Sequence, residues 1–164
     1  LDIRTLIAQR LPPSLWIGAV SETFAVLIGV PLGVLAAWKA NSWIDRTAMV
    51  FAVLAFSVPS FYLAYNLIFL FAVNLDWLPA IGYQPLSEGI GTWARSMVLP
   101  VVSIGLIIAG LLTRITRATM LEVLREDYIR TARAKGLAES TMLFRHALKN
   151  GFAPILTVIG LGVA

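Results

Sequence analysis

Residues 119–151, TMLEVLREDYIRTARAKGLAESTMLFRHALKNG, decide how the chain is read. This is the one long polar stretch between apolar segments. With Arg114 and Arg117 it carries eight of the thirteen Lys and Arg residues. Tyr128, Ile129 and Ala132 fall on one face of a first short helix, and Leu143, Ala147 and Leu148 on one face of a second. Gly136 lies between them, where a turn or helix C-cap of positive φ suits a residue without Cβ. A basic two-helix elbow set between membrane spans reads in two ways: as a docking surface for a partner on that side, or as a connector lying on lipid headgroups.

The rest of the chain is apolar. Its 164 residues are 59% hydrophobic and 13% charged, with a mean hydropathy of +0.82, whereas soluble domains carry about 25% charged residues. A bilayer core takes roughly 20 helical residues to cross, and three apolar stretches reach that length. The fold class is therefore all-α integral membrane. The predicted order is an amphipathic lead-in over 1–13, a span over 14–38, a turn over 39–46 and a second span over 47–73. A loop rich in aromatics and turn residues follows over 74–96, then a third span over 97–118, the elbow over 119–151 and the start of another span over 152–164. Pro12 and Pro13 are expected to end the lead-in helix and open the next. The start at Leu1 and the apolar run at the other end lead us to expect a piece of a longer protein.

Charge orients these segments. The 74–96 loop sets Asp76 and Glu88 against Arg95 alone, while 114–149 holds eight basic and four acidic residues. The positive-inside bias puts the elbow and the 39–46 turn in the cytoplasm, with 1–13 and 74–96 outside. Trp77, Tyr83 and Trp93 suit the outer interface or pack the loop itself. The net charge of +4 reports topology rather than nucleic acid, for which no fold signature is present.

Polar and helix-breaking residues inside the spans are the candidates for a pathway or for helix contacts. Glu22 lies in the first span, where a lone carboxylate must face protein or water. Pro59, in AFSVPSF, is expected to kink the second span, with Ser57 and Ser60 placed to answer the carbonyls it frees. Gly29 and Gly33 share a face and permit close helix approach, as Gly105 and Gly110 do less specifically. Catalytic chemistry has no foothold: there is no GxxxxGK[ST], HExxH or GxSxG, and no cysteine. His146, the one histidine, sits among Arg145, Lys149 and Asn150 as a surface or packing residue. The chain is not expected to be an enzyme or to hold a cofactor or metal.

The segment DYIRTARAKGLAESTMLFRHALKNGFAPILT, residues 127–157, closely resembles the cytoplasmic signature loop of ABC importer permeases. TRITRATMLEVLREDYIRTARAKG, IAQRLPPSLWIGA and WKANSWIDR are similar to the dipeptide, oligopeptide and nickel branch, and within it to the first of two paired permease subunits. The family pattern opens with Glu-Ala-Ala, then Gly, then a hydrophobic-x-Leu-Pro ending. Here Arg130, Thr131 and Ala132 hold the triplet positions and Gly136 matches the glycine. His146, Leu148 and Lys149 stand at the ending. With arginine in place of glutamate, Arg130 is expected to meet an acidic or backbone-carbonyl site instead.

The resemblance implies a polytopic helical ABC importer permease core with cytoplasmic coupling helices, in a bacterial or archaeal inner membrane. It implies four kinds of neighbour: a homologous second permease, two cytoplasmic ATPases carrying ATP and Mg, an extracytoplasmic solute-binding protein, and the bilayer. It implies ATPase docking by Tyr128, Ile129, Arg130, Ala132, Arg133, Lys135, Gly136 and Arg145, and passage of a small solute such as a di- or oligopeptide, nickel or glutathione. Two other readings remain open at this level. One is an ion-gradient-driven secondary transporter using Glu22. The other is a membrane scaffold that transports nothing.

Overall fold

Uninterrupted apolar sequence becomes long helix here, and the elbow becomes short helix. The computed structural model describes residues 3–163; the side chains at 140, 144–146, 161 and 163 lie outside that description. Helix α1 is Ile3–Trp38, α2 is Trp43–Ser57, and α3 is Ser60–Leu67, passing into a π-helical stretch over Ile68–Asn74. A single 3-10 turn, Leu86–Glu88, precedes α4, Ile90–Val123. The elbow holds α5, Asp127–Ala134, and α6, Glu139–Thr141, which runs through a π-helical turn at Met142–Ala147 into α7, Leu148–Val163. No strand occurs among the described residues.

Helices α1 and α4 are each long and apolar enough to cross a membrane; α2 and α3 reach that length only as a pair, bent by 96°. At 1.5 Å per residue α1 extends about 54 Å, well beyond a hydrocarbon core of about 30 Å. It runs straight through Pro12 and Pro13, so the helix break expected there does not occur. The prolines remove two donors, from the Ala8 and Gln9 carbonyls, but the turns around them are exposed. The proline effect at Pro59 is larger than a kink. Helix α2 ends at Ser57, Val58 is extended (φ −84, ψ 123), and Pro59 becomes the N-cap of α3. Ser57 and Ser60 are exposed and neither hydroxyl bonds a freed carbonyl, contrary to expectation, because the helix stops rather than bending around an inserted proline.

The fold is centred on a parallel seam between α1 and α4. A Cβ added at Gly29 would lie 2.7 Å from the Ala109 carbonyl, and one at Gly33 would lie 2.5 Å from Thr116 Cβ. Gly105 answers from α4, lying against Phe24 and the Ser21 carbonyl. Because 21–24 pairs with 105, 29 with 109–112 and 33 with 113–116, the two helices run in the same direction. Gly110 meets α2 at Ala52 and Ala55. With no Cβ between them the backbones approach closely, which is how apolar helices gain packing energy where lipid competes for every apolar surface. Gly105 and Gly110 are thus used as closely as Gly29 and Gly33.

One ion pair pins α2 antiparallel to α4. Arg117 clamps Asp45 through two nitrogens, Nε on Oδ1 and Nη2 on Oδ2 at 2.7 Å, and the Asn41 N–H adds a bond to Oδ2 at 2.9 Å. Asn41 adopts φ 65 to make that turn. The Asp45 side chain is 5% exposed. The bidentate arginine beside it, with help from the Asn41 N–H and Arg46, outweighs burial and holds its carboxyl below the usual carboxylate range.

Candidate functional site: the docked elbow

The elbow is seated on the chain's own helices. Ile129 is fully buried in a cluster with Val34 and Ala37 of α1, Met120 of α4, and Met142, Leu143 and Ala147 of the π-helical turn. Ala132 and Leu148 pack partly buried against it. Burying an isoleucine side chain is worth about 1.5–3 kcal/mol, enough to hold an eight-residue helix that has no stability alone. The Tyr128 hydroxyl accepts a hydrogen bond from Asn150 Nδ2 at 2.8 Å, tying α5 to α7. Gly151 lies against Thr119, Met120 and Val123, so α7 leaves the elbow in close contact with α4.

Gly136 makes the turn. Its φ is +78; its N–H bonds the Arg133 carbonyl at 3.0 Å, and the Leu137 N–H bonds the Ala132 carbonyl at 3.3 Å. These two bonds form a Schellman cap on α5. Arg133 then braces the turn from outside, with Nε 2.9 Å from Glu139 Oε1 and Nη2 3.4 Å from Oε2. Both side chains are about half exposed, so the pair is worth at most about 1 kcal/mol.

The docking candidates therefore separate into two groups. Ile129 and Ala132 face inward, and Tyr128 is half-exposed but bonded inward. Arg130, Arg133, Lys135 and Gly136 face outward. Arg130 reaches only Asp127, at 3.5 Å and in full solvent. The side chains of Arg145 and His146 lie outside the described residues. The elbow has an apolar underside, at Ile129 and Ala132, and an exposed basic upper side, at Arg130, Arg133 and Lys135. The amphipathic period finds the apolar face of α5 without revealing that the chain's own Met120 and Met142 cover it. The Tyr128–Asn150 bond joins residues 22 apart and has no local signal.

The pathway candidates sit apart from the elbow. Ser57, Pro59 and Ser60 form the exposed corner between α2 and α3. Glu22 lies on α1, 6% exposed, with neither carboxylate oxygen bonded, beneath Gly162 of α7. No group of three or more His, Cys, Asp or Glu that could hold a metal occurs among the described residues.

A multi-span helical membrane protein with a folded, docked loop between its spans is the class these features define. Residues 29–164 match the family described as the inner membrane component of binding-protein-dependent transport systems, and the chain belongs to that family. It is 44% identical, along its whole length, to the "Probable peptide ABC transporter permease protein" of Sinorhizobium fredii, of which it covers 52%. Over 94% of its length it is 40% identical to the glutathione transport system permease protein of Escherichia coli (strain K12), of which it covers 48%. The chain thus spans about half the length of these relatives.

Proposed function

We propose that the chain is part of a transmembrane permease subunit of an ATP-driven importer, passing a small solute into the cytoplasm. A di- or oligopeptide is the favoured solute, with glutathione or nickel as alternatives. The carrying observation is the seating of the elbow: Ile129 is fully buried in one cluster with residues of α1, α4 and the π-helical turn while Arg130 and Lys135 stay exposed. A connector lying on headgroups needs no such anchor. A lever does, because force applied to its exposed face must reach the spans.

On this reading the elbow sits in a cleft of a cytoplasmic ATPase. ATP binding closes the two ATPases and moves the docked elbow, and the α1–α4 pair moves with it through Ile129. Arg130, Lys135 and the outward part of Arg133 supply the electrostatic fit; Tyr128, Ile129, Ala132 and Gly136 hold the shape that is recognised. Arg145 belongs with the first group by its charge. The homologous second permease, the solute-binding protein and the inner membrane complete the assembly, and ATP with Mg stays on the ATPases.

The test is site-directed cross-linking in the assembled complex. Cysteines introduced as Arg130→Cys and Lys135→Cys should capture an ATPase subunit, and vesicles holding the complex should take up solute only with ATP. Capture of no ATPase at either position, or labelling of Lys135→Cys from the outer face of intact cells, would overturn the reading.

A further inference from the structure

Glu22 is a carboxylate with nothing to hold. Both its oxygens are buried without a hydrogen-bond partner, on a residue that is 6% exposed and lies in a membrane-length helix. Of the two neighbouring hydroxyls, Thr23 Oγ1 donates to the Ala19 carbonyl at 2.8 Å, and Ser21 Oγ is buried without a partner of its own and makes no bond to the carboxylate. No donor among the described residues bonds either oxygen of Glu22 in this arrangement. An isolated buried carboxylate costs several kcal/mol unless a partner arrives, and an ionisable side chain at membrane depth is a functional feature by default.

The place for a partner is beside it. Glu22 lines an open-sided cavity of about 620 Å³ that runs along α1 and is bounded on one side by Ile159 and Gly162 of α7, a volume within the range of small-molecule clefts. The rest of the wall is mostly apolar, with Leu15, Val26, Leu27 and Ile159, and small residues at Gly18 and Gly162 leave the room. Gly162 covers the carboxylate so closely that a Cβ there would fall 2.5 Å from Oε2. A change of the Glu22 rotamer would turn the oxygens from Gly162 toward the cavity that the same residue lines.

We propose that this cavity is a binding site for an ammonium group carried on an apolar body, with Glu22 as its counter-ion. A primary ammonium offers three donors and one positive charge, which is what the orphaned carboxylate lacks, while the apolar walls take the attached side chain. The inference rests on the importer reading for the source of the amine, a transported solute with a free amino terminus, and it assigns the amine end of that solute to α1.

This chain has no cysteine; Gly18→Cys, one helical turn before Glu22 and with open space at its Cβ, places a thiol in the cavity, and its labelling is taken as the excess over the complex without it. The probes are a trimethylammonium-ethyl and a sulfonato-ethyl methanethiosulfonate, applied to the whole importer in lipid. After normalising to an exposed control cysteine, the cationic reagent should react about tenfold faster or more, and Glu22→Gln should bring the ratio near one. Leucyl-phenylalanine amide should slow the labelling of Gly18→Cys, N-acetyl-leucyl-phenylalanine amide should not, and Glu22→Gln should abolish the protection. A charge-independent rate, equal protection by both compounds, or no labelling at all would overturn the site. No labelling means protein fills the cavity, and a preference for the anionic reagent means that a lysine or arginine of another polypeptide already neutralises Glu22. ATP-driven uptake by the complex with Gly18 intact separates the two failures: if it occurs while the charge preference is missing, only the amine site falls.

Discussion

Replacing Gly136 by valine tests whether the elbow works as a rigid body. The substitution meets no neighbour, since no heavy atom lies within 4 Å of the added Cβ. The whole effect is therefore backbone strain at φ +78. The left-handed region costs an L-residue about 1–2 kcal/mol, and a β-branched one stands at the upper end. If the turn relaxes instead, the bonds from Gly136 to Arg133 and from Leu137 to Ala132 are given up, at about 0.5–1.5 kcal/mol each. Either route costs about 2 kcal/mol, enough to reduce the population of the closed turn up to about thirtyfold. Asparagine tolerates this region far better, so Gly136→Asn should keep most of the turn. On the proposed importer reading, the assay is ATP hydrolysis and solute uptake by the reconstituted complex, with and without a solute-binding protein, after membrane insertion has been shown equal. Gly136→Val should retain basal hydrolysis and lose most of the stimulated part together with uptake, and Gly136→Asn should lie near the original protein. Full stimulation in the valine variant would refute the reasoning, as would equal damage from both substitutions.

Three further outcomes follow from the packing. Gly33→Val puts a Cβ 2.5 Å from Thr116 Cβ; it should lower the melting temperature of the solubilised complex by an overpacking cost of about 1–3 kcal/mol, while Gly18→Ala, in open space, should not. Asp45→Ala strands Arg117, whose side chain is 25% exposed. A double-mutant cycle between the two residues, read by denaturant unfolding, should return a coupling of about 1–3 kcal/mol after allowance for that exposure. Ile129→Ala should cost about 2–5 kcal/mol and Tyr128→Phe about 0.5–1.5 kcal/mol, and hydrogen exchange over 127–147 should rise much more in the first. Equal exchange in both variants would mean that Ile129 does not anchor the elbow.

Much of this arrangement is legible in the sequence because its causes are local. Long apolar runs give α1 and α4, the 29/33 glycine spacing marks a close-packed face, and a lone glycine between two amphipathic periods marks the turn that φ +78 makes at Gly136. The rest depends on what lies opposite. Pro12 and Pro13 sit inside a helix whose exposed surroundings tolerate two missing donors, so a reliable breaker breaks nothing. Pro59 ends its helix outright, because Val58 before it takes the extended conformation that proline favours in the residue it follows. Asp45 and Arg117 stand 72 residues apart, and no periodicity links them. Ile129 turns inward because Met120 and Met142 cover it, and amphipathic pattern alone cannot distinguish a face made for a partner from one made for the same chain.

The corner at Pro59 carries its own consequence. Between Ser57 and Ser60 the backbone leaves the helix, and the side chains around it, including Phe61, lie open. Hydrocarbon offers no hydrogen to a bare carbonyl. Acyl chains therefore make a poor coat for this bend, and its outer surface belongs against water or another polypeptide rather than against the tails of the bilayer.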